Sequence, residues 1–308
     1  MRALRHGMVF WAAIAGLLGS SLTLAALARK NGSAGAGAQC GPAPERLVSS
    51  ILSTDEILLS LVPPERMVAV GRFADDPHAS YVAEAAGEVE ERVVGDPEQL
   101  VALRPDCVVR DAFGRPEVTA LLVRVGVPMS AVKSVNRIDD IRANVRTLGA
   151  LVSEEADAEE MIARMDRSLA RTRQRVTDLE PPSVLLYTRG YTAGSGTLFD
   201  EVLSVAGARN AAAEAELVGH APVPVAELVR MDPDVILVSN YLADGRARDL
   251  TATPNVFQRR TFRGLTAVTT GRVYELPARE LFTTSHFVAD ATASIARVLH
   301  PEEFADDP

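Results

Sequence analysis

Short apolar runs alternate with helical patterns through most of the chain. A short apolar run bounded by polar or turn residues is typical of a buried strand. Because such runs alternate with helical stretches, the pattern predicts an α/β fold with mostly parallel sheets. The strand candidates are Leu47–Ile51, Met67–Val70, Cys107–Val109 and Met129–Val132 in the first half, and Val184–Tyr187, Val235–Val238 and Val273–Leu276 in the second.

One arrangement of helix, turn and strand occurs twice. Residues 97–109 and residues 224–238 each combine a short helical pattern, a Pro-Asp turn and an apolar run. Proline ends the helix because it disfavours the α conformation in the residue before it. Such a turn is a common connector in α/β proteins, but its presence once in each half favours two similar lobes.

A long amphipathic helix is predicted between the two halves, over Glu154–Leu179. Its apolar positions are three and four residues apart, which places them on one face of a helix. These positions are Ala158, Ile162, Met165, Leu169, Thr172 and Val176. The helix would span roughly 40 Å before Pro181 and Pro182 end it. A strut of this length would limit the hinge closure of the two lobes.

Length and composition set the predicted boundaries. A chain of 308 residues is long enough for two folded units, and a stretch rich in glycine and alanine before residue 45 is typical of a flexible linker. The predicted parts are a signal peptide or N-terminal anchor over 1–28, a linker over 29–44, an N-terminal lobe over 45–152, a backbone helix over 153–180, a C-terminal lobe over 181–301 and a tail over 302–308.

Charge is segregated along the chain. Residues 1–39 contain four basic residues and no acidic one, a net charge of +4. Since the whole chain has a formal net charge of −9, the remaining residues carry −13. Within this segment Met8–Ala28 has no charged residue, which is typical of a cleaved export signal or a retained membrane anchor. A negative folded part is unsuited to a nucleic-acid partner, since phosphate binding needs a concentrated positive face.

The two cysteines, Cys40 and Cys107, leave three possibilities open. Cys40 follows Gly37-Ala38-Gln39, which departs from a lipoprotein signal at two positions, so lipidation is only weakly indicated. In an exported protein Cys40 and Cys107 can pair as a disulfide. Alternatively both are unpaired thiols, with Cys107 packed in the core of its strand.

Several segments together carry a family resemblance. They are Arg46–Ser50 with Ser53–Leu59, Val68–Gly71, Glu98–Asp106, Gly194–Asn210, Asp232–Val238 and Gly271–Tyr274. In this order and spacing they resemble the substrate-binding proteins of ABC importers, in the class with a single backbone helix that binds cobalamin, iron-siderophore complexes or haem. The resemblance covers about residues 45–300. It implies a periplasmic or extracytoplasmic monomer of two α/β lobes, a ligand groove between the lobes, and an ABC transporter permease as partner.

Loops at the carboxyl ends of parallel strands line such grooves. A macrocycle or aromatic chelator needs apolar faces with a few polar anchors, and guanidinium groups suit its carboxylates. The candidate ligand contacts are therefore Phe73, Asp75, His78, Tyr81 and Phe113 from the first half, and Arg189, Tyr191, Tyr241, Arg279 and His286 from the second.

Metal coordination by the protein is a separate question. His78 and His286 are candidate ligands for an iron or cobalt centre, and Tyr81 is a candidate phenolate for ferric haem. A receptor for free zinc or manganese would need several His with carboxylates, for instance His78, His220, His286 and an Asp. The chain has no closely spaced His pair and no His-rich loop, which speaks against that alternative.

Permease docking is implied only by the resemblance, in which a Glu on each lobe engages Arg residues of the permease. Glu98 occupies the matching position, seven residues before Pro105. In the second half Ala226 stands at that position and Glu227 is next, so the match there is weaker. Each Glu also suits the first turn of a helix, where an acid complements the helix dipole.

A binding function is favoured over catalysis. The chain has no nucleophile elbow, phosphate loop, zinc-protease helix or dinucleotide fingerprint. We therefore predict a non-enzymatic receptor that captures cobalamin or an iron chelate and delivers it to a permease, with no catalytic cofactor. The alternatives are a haem or free-metal receptor of the same fold, a chelatase-like enzyme, and a sensor that feeds no transporter.

Overall fold

A computed structural model describes residues 38–111, 116–239, 257 and 260–305. Its strands are β1 (Leu47–Ser49), β2 (Met67–Gly71), β3 (Glu91–Val93), β4 (Cys107–Asp111), β5 (Met129–Val132), β6 (Ser183–Leu186), β7 (Tyr191–Ala193), β8 (Arg209–Asn210), β9 (His220–Pro222), β10 (Val235–Ser239) and β11 (Val273–Leu276). Its helices are α1 (Leu52–Leu59), α2 (Ala83–Gly87), α3 (Pro97–Ala102), α4 (Pro116–Arg124), α5 (Ile138–Val152), α6 (Glu155–Val176), α7 (Leu198–Val205), α8 (Ala211–Glu214), α9 (Val225–Met231), α10 (Thr266–Thr269), α11 (Ala278–Phe282) and α12 (Val288–Leu299).

These elements form two α/β lobes. In the N lobe, five parallel strands stand in the order β3-β2-β1-β4-β5. In the C lobe, four parallel strands stand in the order β11-β10-β6-β8, and β7 pairs antiparallel with β9 beside them. The predicted fold class is confirmed. Strand order reverses at β1 in the N lobe and at β6 in the C lobe, which are the places where open sheets form crevices.

All seven predicted strands are present, and four further strands were not predicted. Glu91–Val93 is a short edge strand with one buried apolar residue, so it lacks the apolar run that marks a buried strand. Arg209–Asn210 has only two residues, and Tyr191–Ala193 with His220–Pro222 forms a small ribbon with polar exposed positions. Such elements are set by their neighbours in the fold rather than by a local pattern.

The long helix α6 connects the lobes. It has 22 residues, and all six positions predicted for its apolar face are buried, which confirms that face. The helix packs against α5 of the N lobe and α12 of the C lobe. Gly149 of α5 permits a close approach, because a Cβ at this position would lie 2.4 Å from the Cβ of Ala158.

One continuous apolar core extends through both lobes by way of α6. It includes Leu47 and Ile141 from the N lobe, Met165 from α6, and Leu203 and Ile295 from the C lobe, all at most 3% exposed. Separate smaller clusters cover the other face of each sheet. Because the lobes share one core, opening them would expose apolar surface, which favours a fixed relative orientation.

The start of the described chain is fastened to the N lobe. A disulfide joins Cys40 to Cys107 with a Cα–Cα distance of 5.1 Å, and Met129 N donates to the carbonyl of Ala38 at 2.9 Å. Gln39 pairs with Met129 at the edge strand β5, and Ala43 N donates to the carbonyl of Leu151 at 3.2 Å, so several residues of the predicted linker 29–44 bond to the N lobe. A sulfur in this bond cannot also carry a lipid thioether. In the described part of the chain no helix has the length and apolarity to cross a membrane; Met8–Ala28 lies outside that part.

Candidate functional site

The two lobes touch where the loop after β2 meets the loop after β11. Arg279 N donates to the carbonyl of His78 at 3.0 Å, and Arg279 Nη1 donates to the carbonyl of Pro77 at 2.8 Å. We call this contact the seam; it comprises Glu56 and residues 77–81 of the N lobe with residues 279–287 of the C lobe. Both loops follow the carboxyl ends of strands, so the seam borders the predicted groove.

A buried carboxylate lies at the centre of the seam. Glu56 in α1 is 1% exposed, and it accepts hydrogen bonds from Tyr81 N at 3.0 Å, Thr283 Oγ1 at 3.1 Å and Ser285 Oγ at 2.6 Å. Two of these donors belong to the C lobe. Burial raises the pKa of Glu56, and the three hydrogen bonds act in the opposite direction.

Stacked side chains form the rest of the seam. The guanidinium of Arg279 lies 5.2 Å from the ring of Tyr81. Tyr81 in turn stacks on Phe287 with centroids 4.8 Å apart, and Phe287 contacts His286 at 4.1 Å. Such contacts stabilise through dispersion and ring electrostatics. The column therefore joins one residue of the N lobe to three of the C lobe.

This column changes the interpretation of three predicted ligand contacts. Burial raises the pKa of Tyr81, so a phenolate for ferric haem is disfavoured at this position. Burial lowers the pKa of His286 to about 4, so its imidazole is neutral at pH 7, and its Nδ1 is buried without a hydrogen-bond partner. Arg279 bonds to the other lobe. The structure thus places Tyr81, Arg279 and His286 in the contact between lobes.

A cavity of about 170 Å³ lies beside the seam, with Val135 from the N lobe and all its other lining residues from the C lobe. The loop after β5 contributes Val135, the end of β6 contributes Leu186, and residues 280–284 follow β11. We call it the groove cavity. Its walls are mainly apolar, with a few polar groups from His220, Glu280 and three threonines, which is the composition typical of a small-molecule site.

Exposed aromatic and basic residues stand near the groove cavity on the C-lobe side. Phe282 lines it and is 44% exposed. Tyr191 is 58% exposed on β7, whose other end contributes Ala193 to the cavity wall. Arg189 precedes it with a left-handed φ of 52°. Tyr191 and Arg189 are therefore available to a ligand from the C lobe.

The N lobe has its own pocket at the carboxyl ends of β1, β2 and β3. This pocket, which we call the N-lobe pocket, has a volume of about 220 Å³. Arg72 lines it and is exposed, with its guanidinium 4.2 Å above the ring of Phe73. The full lining is Ser50, Leu52, Asp55, Gly71, Arg72, Phe73, Val93 and Val94. Asp55 was not among the predicted site residues.

Other predicted ligand residues are placed as follows. Asp75 accepts from Arg92 Nη2 at 2.9 Å and Nε at 3.0 Å, so an ion pair within the N lobe engages its carboxylate. His78 is half-buried, and its carbonyl belongs to the seam. Phe113 and Tyr241 lie outside the described residues.

A third cavity, of about 630 Å³, lies beside the first turns of α5 and α7. Its acidic groups are already bonded by the protein. Glu201 accepts from Ile138 N at 2.8 Å, and Asp200 accepts from Asn210 Nδ2 at 3.0 Å. Among the described residues, no group of three or more His, Cys, Asp or Glu side chains is arranged to hold a metal ion.

The two glutamates proposed for permease docking differ in environment. Glu98 is exposed in the first turn of α3, and within the described chain its side chain has no bonded partner. Glu227 lies in the first turn of α9 and forms an ion pair with Arg230 three residues on. That hydrogen bond lowers the pKa of Glu227.

Comparisons with known proteins agree with this architecture. A family model described as "Periplasmic binding protein" matches residues 47–280. An uncharacterised ABC transporter substrate-binding lipoprotein, YvrC of Bacillus subtilis, is 21% identical over 273 residues, covering 85% of this chain and 82% of that protein.

Solved structures show the same fold. The periplasmic heme-binding protein RhuT from Roseiflexus sp. RS-1 is 23% identical with a TM-score of 0.73, covering 85% of this chain and 100% of that one. Helicobacter pylori CeuE with Ni(II) bound is 17% identical with a TM-score of 0.72, covering 87% and 88%. Haemophilus influenzae MolA bound to molybdate is 18% identical with a TM-score of 0.72, covering 87% and 90%.

Proposed function

The chain belongs to the periplasmic binding protein family, as an extracytoplasmic substrate-binding component of an ABC transporter, and from that premise we propose that it captures a metal chelate. The chelate is an iron-siderophore complex or cobalamin, held in the groove between the lobes and delivered to the permease. The observation that supports this class is the presence of aromatic and cationic groups on both sides of the groove. Arg72 and Phe73 stand on the N lobe, and Arg189, Tyr191 and Phe282 stand on the C lobe.

Each group suits one part of such a ligand. Aromatic rings cover the apolar faces of a chelator or macrocycle, and guanidinium groups bind its carboxylates in a bidentate manner. The groove cavity of about 170 Å³ is too small for a whole chelate of this kind, since drug-sized sites start near about 300 Å³. The cavity therefore receives an arm of the ligand, while the bulk lies in the open groove.

Lobe movement on binding is small in this account. The shared core, the helix α6 and the seam hold the lobes together before any ligand arrives. The protein acts as a monomer that binds one chelate, with side-chain adjustment at the groove rather than a large closure.

The test is native mass spectrometry with absorbance scanning of the purified protein. The probes are ferrioxamine B, cyanocobalamin and haem, each added separately. We expect a one-to-one adduct with ferrioxamine B or cyanocobalamin. An adduct with haem alone, with a shifted Soret band, would replace the proposed ligand class by haem, and no adduct with any probe would remove it.

Permease docking has its own test. Glu98→Arg reverses the charge at an exposed position that lines neither the groove cavity nor the N-lobe pocket, so it should impair uptake by cells and leave chelate affinity unchanged. Charged rims mainly steer and register a complex. Equal loss of uptake and of chelate affinity would contradict a docking role for Glu98.

A further inference from the structure

Asp55 is a buried carboxylate in the wall of the N-lobe pocket. It is 0% exposed, and its Oδ2 accepts from Gly71 N at 3.1 Å. Gly71 makes this approach possible, because a Cβ at position 71 would lie 2.8 Å from that oxygen. The backbone thus fixes one oxygen of the carboxylate and the orientation of the group.

The other oxygen of Asp55 lacks a hydrogen-bond partner in the described protein. Oδ1 is buried and unbonded. Ser49 lies nearby, but its hydroxyl is 2.6 Å from Thr54 Oγ1, and Thr54 itself donates to the carbonyl of Ile51 at 2.8 Å. A hydroxyl donates only one proton; with Thr54 donating to Ile51, the short contact with Thr54 takes the proton of Ser49, which otherwise acts on Asp55 only by lowering its pKa.

No basic side chain neutralises this carboxylate directly. Arg92 affects Asp55 through its charge, but it donates to Asp75 and to the carbonyls of Val89 and Ala86. Arg72 lines the same pocket, but its guanidinium lies over the ring of Phe73 and does not bond to Asp55, and the wall is otherwise mainly apolar. A buried acceptor without a donor destabilises the protein, and a donor supplied from outside would relieve that cost.

The pocket has room for such a donor. Its volume of about 220 Å³ is several times the roughly 30 Å³ that one water molecule occupies. A short alkyl arm that ends in a polar group therefore fits, with its methylene groups against Leu52, Val93 and Val94.

We propose that the N-lobe pocket is a ligand subsite in which Asp55 accepts a hydrogen bond from an N–H or O–H arm of the bound chelate, with an ammonium group as the strongest donor. This inference rests on the proposed function and narrows its ligand class. For the arm that enters this pocket, an ammonium, amide or hydroxyl end is favoured over a carboxylate, because a carboxylate would be repelled by Asp55; carboxylates elsewhere on the chelate are left to the exposed guanidinium groups of the groove.

The test compares two forms of one chelate that differ only in this arm. Ferrioxamine B ends in an ammonium group, and its N-succinyl derivative ends in a carboxylate. Calorimetric titration at about pH 7.5 should show that the wild type binds the ammonium form at least tenfold more tightly, because an ammonium forms a charge-assisted hydrogen bond with Asp55 whereas a carboxylate is repelled by it.

Asp55→Asn is the matched variant. The amide oxygen can still accept from Gly71 N, while the amide nitrogen replaces Oδ1 and turns an acceptor into a donor. The variant should lose the preference for the ammonium form and keep its circular dichroism spectrum. Glu65→Gln, an exposed residue of the same lobe, removes one negative charge away from the pocket and should keep the wild-type preference.

Three results would overturn the inference. They are equal affinity of the wild type for both forms, an unchanged preference in Asp55→Asn, and binding of neither form to the wild type. In the last case the proposed function falls as well only if cyanocobalamin also fails to bind, so the two failures can be told apart.

Discussion

Asp55 and Glu56 are consecutive residues of α1, and they face two different regions of the molecule. Both are at most 1% exposed. Glu56 points into the seam, where three donors from two lobes bind its carboxylate. Asp55 points into the wall of the N-lobe pocket, where one backbone N–H binds one oxygen and the other oxygen has no partner among the described residues.

The difference separates a structural carboxylate from one that is available to a ligand. Successive residues of a helix are rotated by about 100°, so neighbours can serve unrelated surroundings. A buried carboxylate with a full set of donors holds elements together, and its removal leaves those donors unsatisfied. A buried carboxylate with an unbonded oxygen destabilises the unliganded protein, and this cost is relieved when a ligand supplies a donor. Three variants test this contrast between the seam and the pocket, and a fourth tests the docking glutamates, where the effect on stability is smallest.

The largest effect is expected from Glu56→Ala. The substitution leaves Tyr81 N, Thr283 Oγ1 and Ser285 Oγ without their acceptor, so the free energy of unfolding should fall by about 4 kcal/mol. Urea unfolding followed by circular dichroism measures the change. Glu65→Ala, at an exposed position, is the control and should change it by less than about 0.5 kcal/mol. A loss below about 1 kcal/mol for Glu56→Ala would show that the seam does not depend on this carboxylate.

Asp55→Asn should change how stability depends on pH. Burial raises the pKa of Asp55 to about 7, above its value in the unfolded chain. The folded state therefore keeps this proton to a higher pH than the unfolded state does, and the wild type loses stability as pH rises from about 4 to 7. Between about pH 5 and pH 8 the wild type should lose about 2–3 kcal/mol more than Asp55→Asn.

Urea unfolding of both proteins at several pH values measures that difference. Glu56 also has a raised pKa, but it is present in both proteins, so its contribution largely cancels. Parallel profiles for the wild type and Asp55→Asn would contradict the assignment of Asp55 as a buried, poorly satisfied carboxylate.

Tyr81 tests the stacked part of the seam. Tyr81→Ala removes the ring that lies between Arg279 and Phe287, and it should lower the free energy of unfolding by about 2 kcal/mol. Tyr81→Phe keeps the ring and should change it by less than about 0.5 kcal/mol. If Tyr81→Phe also retains wild-type chelate affinity, the phenol has no direct role in the ligand site, whereas loss of haem or iron binding in that variant would restore it as a ligand.

The smallest effect concerns the docking glutamates. Arg230→Ala removes an exposed ion pair with Glu227, so it should change the free energy of unfolding by less than about 0.5 kcal/mol. Without Arg230, the carboxylate of Glu227 is free to bind the permease, so Glu227 should contribute more to permease affinity. The measurement is the fold-change in affinity for the permease in nanodiscs that Glu227→Ala causes, once in the wild type and once in the Arg230→Ala variant. An equal fold-change in permease affinity for Glu227→Ala with and without Arg230 would show that the ion pair does not restrain docking.

The sequence predicts the fold well where apolar runs are long. Val235–Ser239 and Val273–Leu276 are strands at the predicted places, and the predicted face of α6 is buried. These features are local, since a buried strand or a buried helix face has apolar residues at a regular spacing along the sequence. The short strands β3 and β8 lack such a pattern because few of their residues are apolar.

The candidate site is harder to predict because its contacts join distant parts of the chain. Ser285 and Glu56 are 229 residues apart, and Arg279 bonds to Pro77 over a separation of 202 residues. In the sequence Tyr81, Arg279 and His286 have the composition of a ligand site, and only their contacts in the fold, through Phe287 and the backbone of residues 77 and 78, show that they join the lobes. Asp55 and Glu56 are consecutive acidic residues in an apolar helix. The sequence of this pair does not show which of the two carboxylates is fully hydrogen-bonded in the fold.

One titration tests the contrast between the two carboxylates most directly. Ferrioxamine B is titrated into the wild type, Asp55→Asn and Glu56→Gln under the same conditions, well below the temperature at which any of the three unfolds. We expect one-to-one binding to the wild type, at least tenfold weaker binding to Asp55→Asn, and near wild-type affinity in Glu56→Gln. Equal weakening in both variants, or no binding to the wild type, would contradict it.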